Sequence, residues 1–265
     1  MTRTIDEAAV DRLADRLYDA HRTGEGIAPP ETTLTVDDGY AVQRAVTDRR
    51  TAEEGPPVGY KVGFTSEAIR TDLGVDDPAY GPLLADTVRP EGRLDDTDLI
   101  DPKAEPELAI RLDEPLDPPV TPVDALAATS AVVPAIEVVD SRIREWAVEA
   151  GSVVADGVLA ARVVHGDGIG NPAGGDRSLE GVVVRRNGER VATGVGADVM
   201  GGPFRVVAWL AGALADRGER LTAGDLVSTG SLTPLVPFEP GDTVEARFSS
   251  LGSVTIARPP VDSSR

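Results

Sequence analysis

KAEPELAIRL, residues 103–112, alternates side chains with the period of two that belongs to a β-strand. Pro106, Leu108, Ile110 and Leu112 fall on one side, and Glu105, Glu107 and Arg111 on the other. The polar side begins with two carboxylates two positions apart. Such a pair fits the wet face of an edge strand as well as two arms of a metal site. With 45 acidic residues among 265, roughly eight acidic pairs at i,i+2 arise by chance. A third carboxylate in a more telling setting is needed.

AVVPAIEVVD (131–140) supplies it. Glu137 has apolar neighbours on both sides for several residues, the composition of a strand covered on both faces. An ionised glutamate there is costly unless it is paired or coordinates a metal. The pairing alternative is an ion pair with Arg142 or Arg144. The metal alternative joins Glu137 to the first two glutamates. Three convergent carboxylates without His or Cys suit a hard cation such as Mg²⁺ or Mn²⁺ with open coordination positions. A chelating 2-oxo acid would fill those positions, and the cation would stabilise an enolate at C2.

Composition narrows the field. The net charge is −19, which disfavours nucleic acid and anionic membranes as partners. Lys61 and Lys103 are the only lysines among 26 basic residues. This acid-rich, lysine-poor balance fits a salt-adapted, halophilic setting. No apolar run is long enough to span a bilayer, and the first residues lack the apolar core of a secretory signal. A cytoplasmic location is expected. The absence of cysteine excludes disulfides, thiolate zinc sites and cysteine nucleophiles. Two isolated histidines, His21 and His165, leave little room for a zinc hydrolase or a Ser-His-Asp triad. His21 is expected near a helix end, as a positive partner for the dipole.

Residues 5–22 form an expected amphipathic helix with Thr4 as N-cap and Glu7 three residues on. A second helix is expected over about 36–53, capped by Thr35. From Val58 onward short β-like runs alternate with Gly and Pro turns, interrupted by helices at about 122–130 and 203–217. The expected fold is α+β: an N-terminal helical region (1–57) on a β-rich catalytic domain (58–265) built as a mixed roll or sandwich. Lys61 stands out because the chain uses arginine almost everywhere else. A lysine can shed its proton when desolvated, and an arginine cannot. Lys103 is either a supporting cation beside the first glutamates or a surface residue. GVGADVMGG (194–202) is glycine-rich, but no lysine follows it as a phosphate loop requires.

Several blocks, in order, resemble the 2-keto-4-pentenoate hydratase and 4-oxalocrotonate decarboxylase group of the fumarylacetoacetate hydrolase superfamily. They are DGYAVQ (38–43), GYKVGFTS (59–66), LGVDDPAYGPL (73–83), EPELAIRL (105–112), PAIEVVDSRI (134–143), ATGVGADVMGGP (192–203), VAWLAGALADRG (207–218), AGDLVSTGSL (223–232) and GDTVEARFSSLGSV (241–254). The resemblance implies the superfamily's C-terminal fold, with Glu105, Glu107 and Glu137 as ligands of Mg²⁺ or Mn²⁺ and Lys61 in the active site. It puts a substrate-contacting strand end at TGSL (229–232), so that Thr229 or Ser231 would donate to the substrate, although TG is also a common turn. It further implies a small 2-oxo acid substrate and a homo-oligomer, with a hydratase–decarboxylase complex as a possible assembly. Hydration of 2-hydroxypenta-2,4-dienoate to 4-hydroxy-2-oxopentanoate is the first expected activity. Decarboxylation of 4-oxalocrotonate (2-oxo-3-hexenedioate) is the alternative, followed by a non-catalytic partner role or plain cation binding.

Three positions depart from the group's hydratases. An acidic residue in their PDFG or PDYG motif is Ala79 here. Their ADNAS-like stretch reads ADGVLAA (155–161), with Gly157 in place of Asn. A GHP-like triplet becomes Gly201-Gly202-Pro203. These changes are expected to thin the polar shell facing the substrate. Ala79 leans toward decarboxylation, since it cannot act as a base on water.

Overall fold

The computed structural model describes residues 3–90, 92–95, 98–146, 149–168 and 172–260. Two helices come first, α1 (Glu7–Thr23) and α2 (Val36–Glu54). The N-cap of α1 is Asp6, whose side chain accepts from Ala9 N, and not the expected Thr4. Thr4 is diverted because a stronger acceptor lies across the helix pair. Its amide and hydroxyl both donate to the buried Asp38 carboxylate at 2.8 and 2.7 Å. Asp38 also accepts from the amide and hydroxyl of Thr35, completing a capping box at the start of α2. One carboxylate thus closes α2 and fastens the chain ahead of α1. Val10, Leu13 and Leu17 then pack against Leu34, Val42 and Val46, with Ile143 and Ala155 joining the same cluster.

His21 departs from its expected role. It is buried, with Nε2 3.3 Å from Asp156 Oδ1. Burial, reinforced by Arg142, Arg50 and Arg162, pushes its pKa well below the usual histidine value. The imidazole is therefore neutral near pH 7 and contributes no charge to the helix terminus.

The chain continues through β1 (Pro57–Gly63), α3 (Glu67–Leu73), β2 (Ala79–Leu84), β3 (Val88–Arg89), β4 (Lys103–Leu112), α4 (Pro122–Ala127), β5 (Thr129–Val139), α5 (Ala150–Ala155) and β6 (Ala160–His165). Next come β7 (Gly181–Arg186), β8 (Glu189–Val195), α6 (Pro203–Ala215), β9 (Leu226–Ser231), β10 (Val236–Pro237), β11 (Thr243–Phe248) and β12 (Gly252–Ala257). A curled mixed sheet has the order β2-β1-β9-β4-β5-β6-β3, with β10 pairing to β4. A second sheet has the order β12-β11-β7-β8. The architecture is α+β, as the sequence led us to expect.

The two faces of the large sheet differ. Leu108, Ile110, Val132, Ile136 and Val138 share one core with α6 and the inner face of the second sheet. The opposite face carries a smaller apolar cluster of Leu83, Ala109, Val133, Ala135, Val163 and Leu226. Both faces are thus covered, which is why β5 reads as a nearly unbroken apolar run. The Glu105 side of β4 belongs to the second face, so it is not the wet surface of an edge strand. β2, β8, α3 and α5, like the two-residue strands β3 and β10, were not expected from the sequence. AYGPLL contains a Gly-Pro pair that reads as a turn, ERVATGV is a largely exposed edge strand, and the two helices are too short for a periodic signal.

Asp38→Ala is expected to cost about 2–4 kcal/mol in urea unfolding, since several bonds to a buried charge are lost together; a loss below about 1 kcal/mol would deny Asp38 this tethering role. The Asp38 carboxyl is held well below its ordinary pKa: burial opposes ionisation, but bonds from Thr35, Thr4 and Ile5 outweigh it. Its contribution should therefore be full above about pH 4 and fade as pH falls toward the depressed folded value.

Candidate metal centre

Strand register assembles the site. On β4 and β5, Glu105 lies directly opposite Glu137, and Glu107 opposite Ala135. Residues paired across strands share a face, so the three glutamates converge. On the other side of β4, Ala109 pairs with Ser228 of β9, and Ser228 pairs with Lys61 of β1. Lys61 therefore joins the same face, two strands away from Glu107. One oxygen from each of Glu105, Glu107 and Glu137 lies within 4.8 Å of the others. Lys61 Nζ stands 3.0 Å from Glu137 Oε1 and donates to the Val158 carbonyl at 2.9 Å. Lys61, Glu107 and Glu137 are buried, and Glu105 is partly so.

The cluster is short of positive charge. One ammonium faces three carboxylates, and Arg142 and Arg144 do not supply the rest: the first pairs with Asp156 at 2.7 Å and the second donates to the Gly26 carbonyl. Glu107 Oε2 accepts from the Ser228 hydroxyl and from Gly230 N at 3.0 Å, but its Oε1 is buried with no hydrogen-bond donor among the described residues. Lys61 apart, neither oxygen of Glu137 has a donor among the described residues. Burial pushes the Glu107 carboxyl well up, and the Glu137 and Glu105 charges add to the shift. Glu105 rises to about 7, chiefly through burial, with Lys61 opposing and Glu137 adding. For Lys61 burial works against the charge, yet attraction to Glu137, Glu105 and Glu107 outweighs it and raises the pKa. The lysine is an ammonium. Orphaned carboxylate oxygens and an excess of buried negative charge are what a divalent cation would relieve. An all-oxygen set fits Mg²⁺, Mn²⁺ or Ca²⁺ better than zinc.

Register also places the remaining candidates. Thr229 Oγ1 donates to the Leu108 carbonyl at 2.6 Å, while Ser231 lies opposite Glu107 and gives its hydroxyl to the Thr233 carbonyl. Ser228, which sequence reading passed over, is the hydroxyl that reaches a carboxylate. Its signal was alternation: Leu226, Ser228 and Gly230 form one side of β9, and β1 pairing fixes that side as the Lys61 side. Lys103 Nζ lies 3.5 Å over the Trp146 ring and 3.7 Å from Asp101. Ala79 sits opposite Gly63 and packs with Val158, so an apolar wall adjoins Lys61. Gly202, in contrast, is the N-cap of α6, the helix packed on the opposite face of the sheet. Its departure from the group pattern concerns a helix start and not the polar shell.

Known proteins resemble this chain along most of its length. Residues 76–257 match the fumarylacetoacetate hydrolase C-terminal family model. A 2-keto-4-pentenoate hydratase of Paraburkholderia xenovorans is 37% identical over 92% of this chain and 93% of its own. A 4-oxalocrotonate decarboxylase of a Pseudomonas strain is 38% identical over 96% and 98%. The solved structure of 4-oxalocrotonate decarboxylase from Pseudomonas putida, complexed with magnesium and adipate, superposes with a TM-score of 0.91 at 36% identity, covering 97% of this chain and 100% of that one. Matched along nearly its whole length in sequence and in fold, the chain belongs to the fumarylacetoacetate hydrolase family.

Proposed function

We propose that this chain is a divalent-metal-dependent lyase acting on small 2-oxo acids. The observation that carries the reading is the convergent trio Glu105, Glu107 and Glu137 with the Lys61 ammonium 3.0 Å from Glu137. Glu105, Glu107 and Glu137 would hold Mg²⁺ or Mn²⁺. Once bound, such a cation supplies positive charge to the 1-carboxylate and 2-oxo oxygens of a chelating substrate. The chain's own residues do the rest. Ser228 and the Gly230 amide fix one oxygen of Glu107 and leave the other free to coordinate. Glu137 and the Val158 carbonyl hold the Lys61 ammonium beside the carboxylates, where it offers a proton and a second positive charge to a developing enolate.

Two reactions share that enolate. In hydration, 2-hydroxypenta-2,4-dienoate is protonated at C5 to its 2-oxo form and water adds at C4. In decarboxylation of 2-oxo-3-hexenedioate the C5–C6 bond breaks, CO₂ leaves, and its electron pair passes through the conjugated carbons to the 2-oxygen. Hydration needs a group to position or deprotonate water. Ala79 and Gly81, opposite Gly63 and Lys61, provide none. That apolar wall favours decarboxylation, whereas the motif set first suggested hydration. A homo-oligomeric, cytoplasmic enzyme goes with either reading, and among the described residues no helix is long and apolar enough to cross a membrane.

The purified chain with Mg²⁺ or Mn²⁺ should consume 4-oxalocrotonate in an ultraviolet assay and release CO₂. Turnover of 2-hydroxypenta-2,4-dienoate alone would select hydration, and turnover of neither, with metal bound, would defeat the lyase reading. Glu137→Gln should abolish the rise in melting temperature on adding metal; an undiminished rise rules out ligation by Glu137. Metal binding must also displace the proton that Glu105 holds up to about pH 7. The metal-induced rise should therefore be larger at pH 7.5 than at pH 5.5, since raised carboxyl pKa values oppose binding below the folded value and cease to do so above it. A rise independent of pH would count against carboxylate ligation.

A further inference from the structure

Gly157, Val158 and Leu159 have φ values of 63°, 54° and 64°. Three successive residues in the left-handed region, one of them β-branched, make a costly turn that needs outside support. The turn is also pressed onto the antiparallel β1–β2 pair. A Cβ at Gly63 would lie 2.5 Å from Val158 Cγ1, and one at Gly81 would lie 2.4 Å from the Gly157 carbonyl oxygen. Only glycine at both positions permits this approach. It brings the Val158 carbonyl within 2.9 Å of Lys61 Nζ, where it accepts a hydrogen bond.

The support comes from one arginine. Arg142, five residues beyond Glu137 and buried, gives its amide and its Nε to the Asp156 carboxylate at 2.9 and 2.7 Å. Its Nη2 donates to the Asp156 carbonyl at 3.0 Å and reaches the Ala160 carbonyl at 3.4 Å. Those two carbonyls bracket the strained triplet. Leu159 is further held through its amide on the Asp156 carbonyl and its carbonyl on the Asp140 amide. The segment that carries Glu137 therefore also fixes the acceptor of Lys61.

We infer that Arg142 and Asp156 are positioning residues that act through the Val158 carbonyl to hold Lys61 in register with the carboxylate trio. This rests on the proposed role of Lys61 in the lyase reaction. A buried ion pair with no such role would contribute to stability alone. A side chain displaced by about 1 Å can cost about 100-fold in rate without altering binding.

Arg142→Lys keeps the charge but cannot span both carbonyls. In the metal-loaded enzyme it should lower kcat about 10- to 100-fold while KM and the Mn²⁺ dissociation constant stay within about threefold. A crystal structure of the variant should show Lys61 Nζ beyond hydrogen-bond distance of the Val158 carbonyl. Asp156→Asn, which keeps the shape and removes the charge, should behave alike, and either variant suffices if the other does not fold. Unchanged kcat, metal affinity falling in step with kcat, or an intact Lys61–Val158 contact each overturn the inference. If the wild-type chain turns over no 2-oxo acid, the lyase reading fails, and the Lys61–Val158 separation still decides whether the clamp exists.

Discussion

Three carboxylates on one covered face of a sheet are the constraint from which the rest of the centre follows. Removing each ion from water costs several kcal/mol. An ammonium at close range returns about 4 kcal/mol at an effective dielectric constant near 20. Lys61 offsets only part of that cost, and burial still raises the carboxyl pKa values of Glu105 and Glu107. The apolar residues on the same face bury the cluster and keep this imbalance from being screened by water. It is the arrangement expected of a site completed by a cation, since a purely structural cluster would have acquired a second basic residue or lost an acid.

Strand order explains how so few residues suffice. β9 enters between β1 and β4, parallel to one and antiparallel to the other, so that Lys61, Ser228 and Ala109 stand side by side. Placing β1 directly beside β4 would bring the lysine nearer to Glu107 but leave no strand to donate Ser228 and the Gly230 amide to that carboxylate. The inserted strand widens the site by one strand spacing, about 4.8 Å, and orients the Glu107 carboxylate in the same step.

Much of this was legible in the sequence. The period of two in KAEPELAIRL gave the strand and its faces, and the apolar surroundings of Glu137 marked it as buried. The scarcity of lysine drew attention to Lys61. What remained hidden depended on pairing between distant segments. Ser228 and Thr229 are adjacent hydroxyls, and only the β1–β9 register shows which of them faces Glu107. Thr4 has every local mark of an N-cap, yet Asp38, 34 residues away, captures it. His21 reads as a helix-end cation until Asp156 and three arginines are folded around it. The backbone of Val158 carried no signal at all, because a β-branched residue is the last expected in a left-handed turn.

The two chemistries open to this centre make equal use of its electrostatics, so the carboxylates and Lys61 do not choose between them. Selection has to come from the wall, where Ala79, Gly63 and Val158 meet. An acid introduced there would face the carboxylate trio across a short apolar gap and would itself be driven toward its neutral form. Such a group would be poised as a proton carrier and useful to hydration. An alanine adds no titratable group beside Lys61 and offers water no base at that position. The same gap is narrow because the Gly157–Leu159 turn is pressed against two glycines. Apolar character and close approach therefore arise from one feature of the backbone. Reactivity on this scaffold can thus be altered at the wall while the carboxylate face remains as it is.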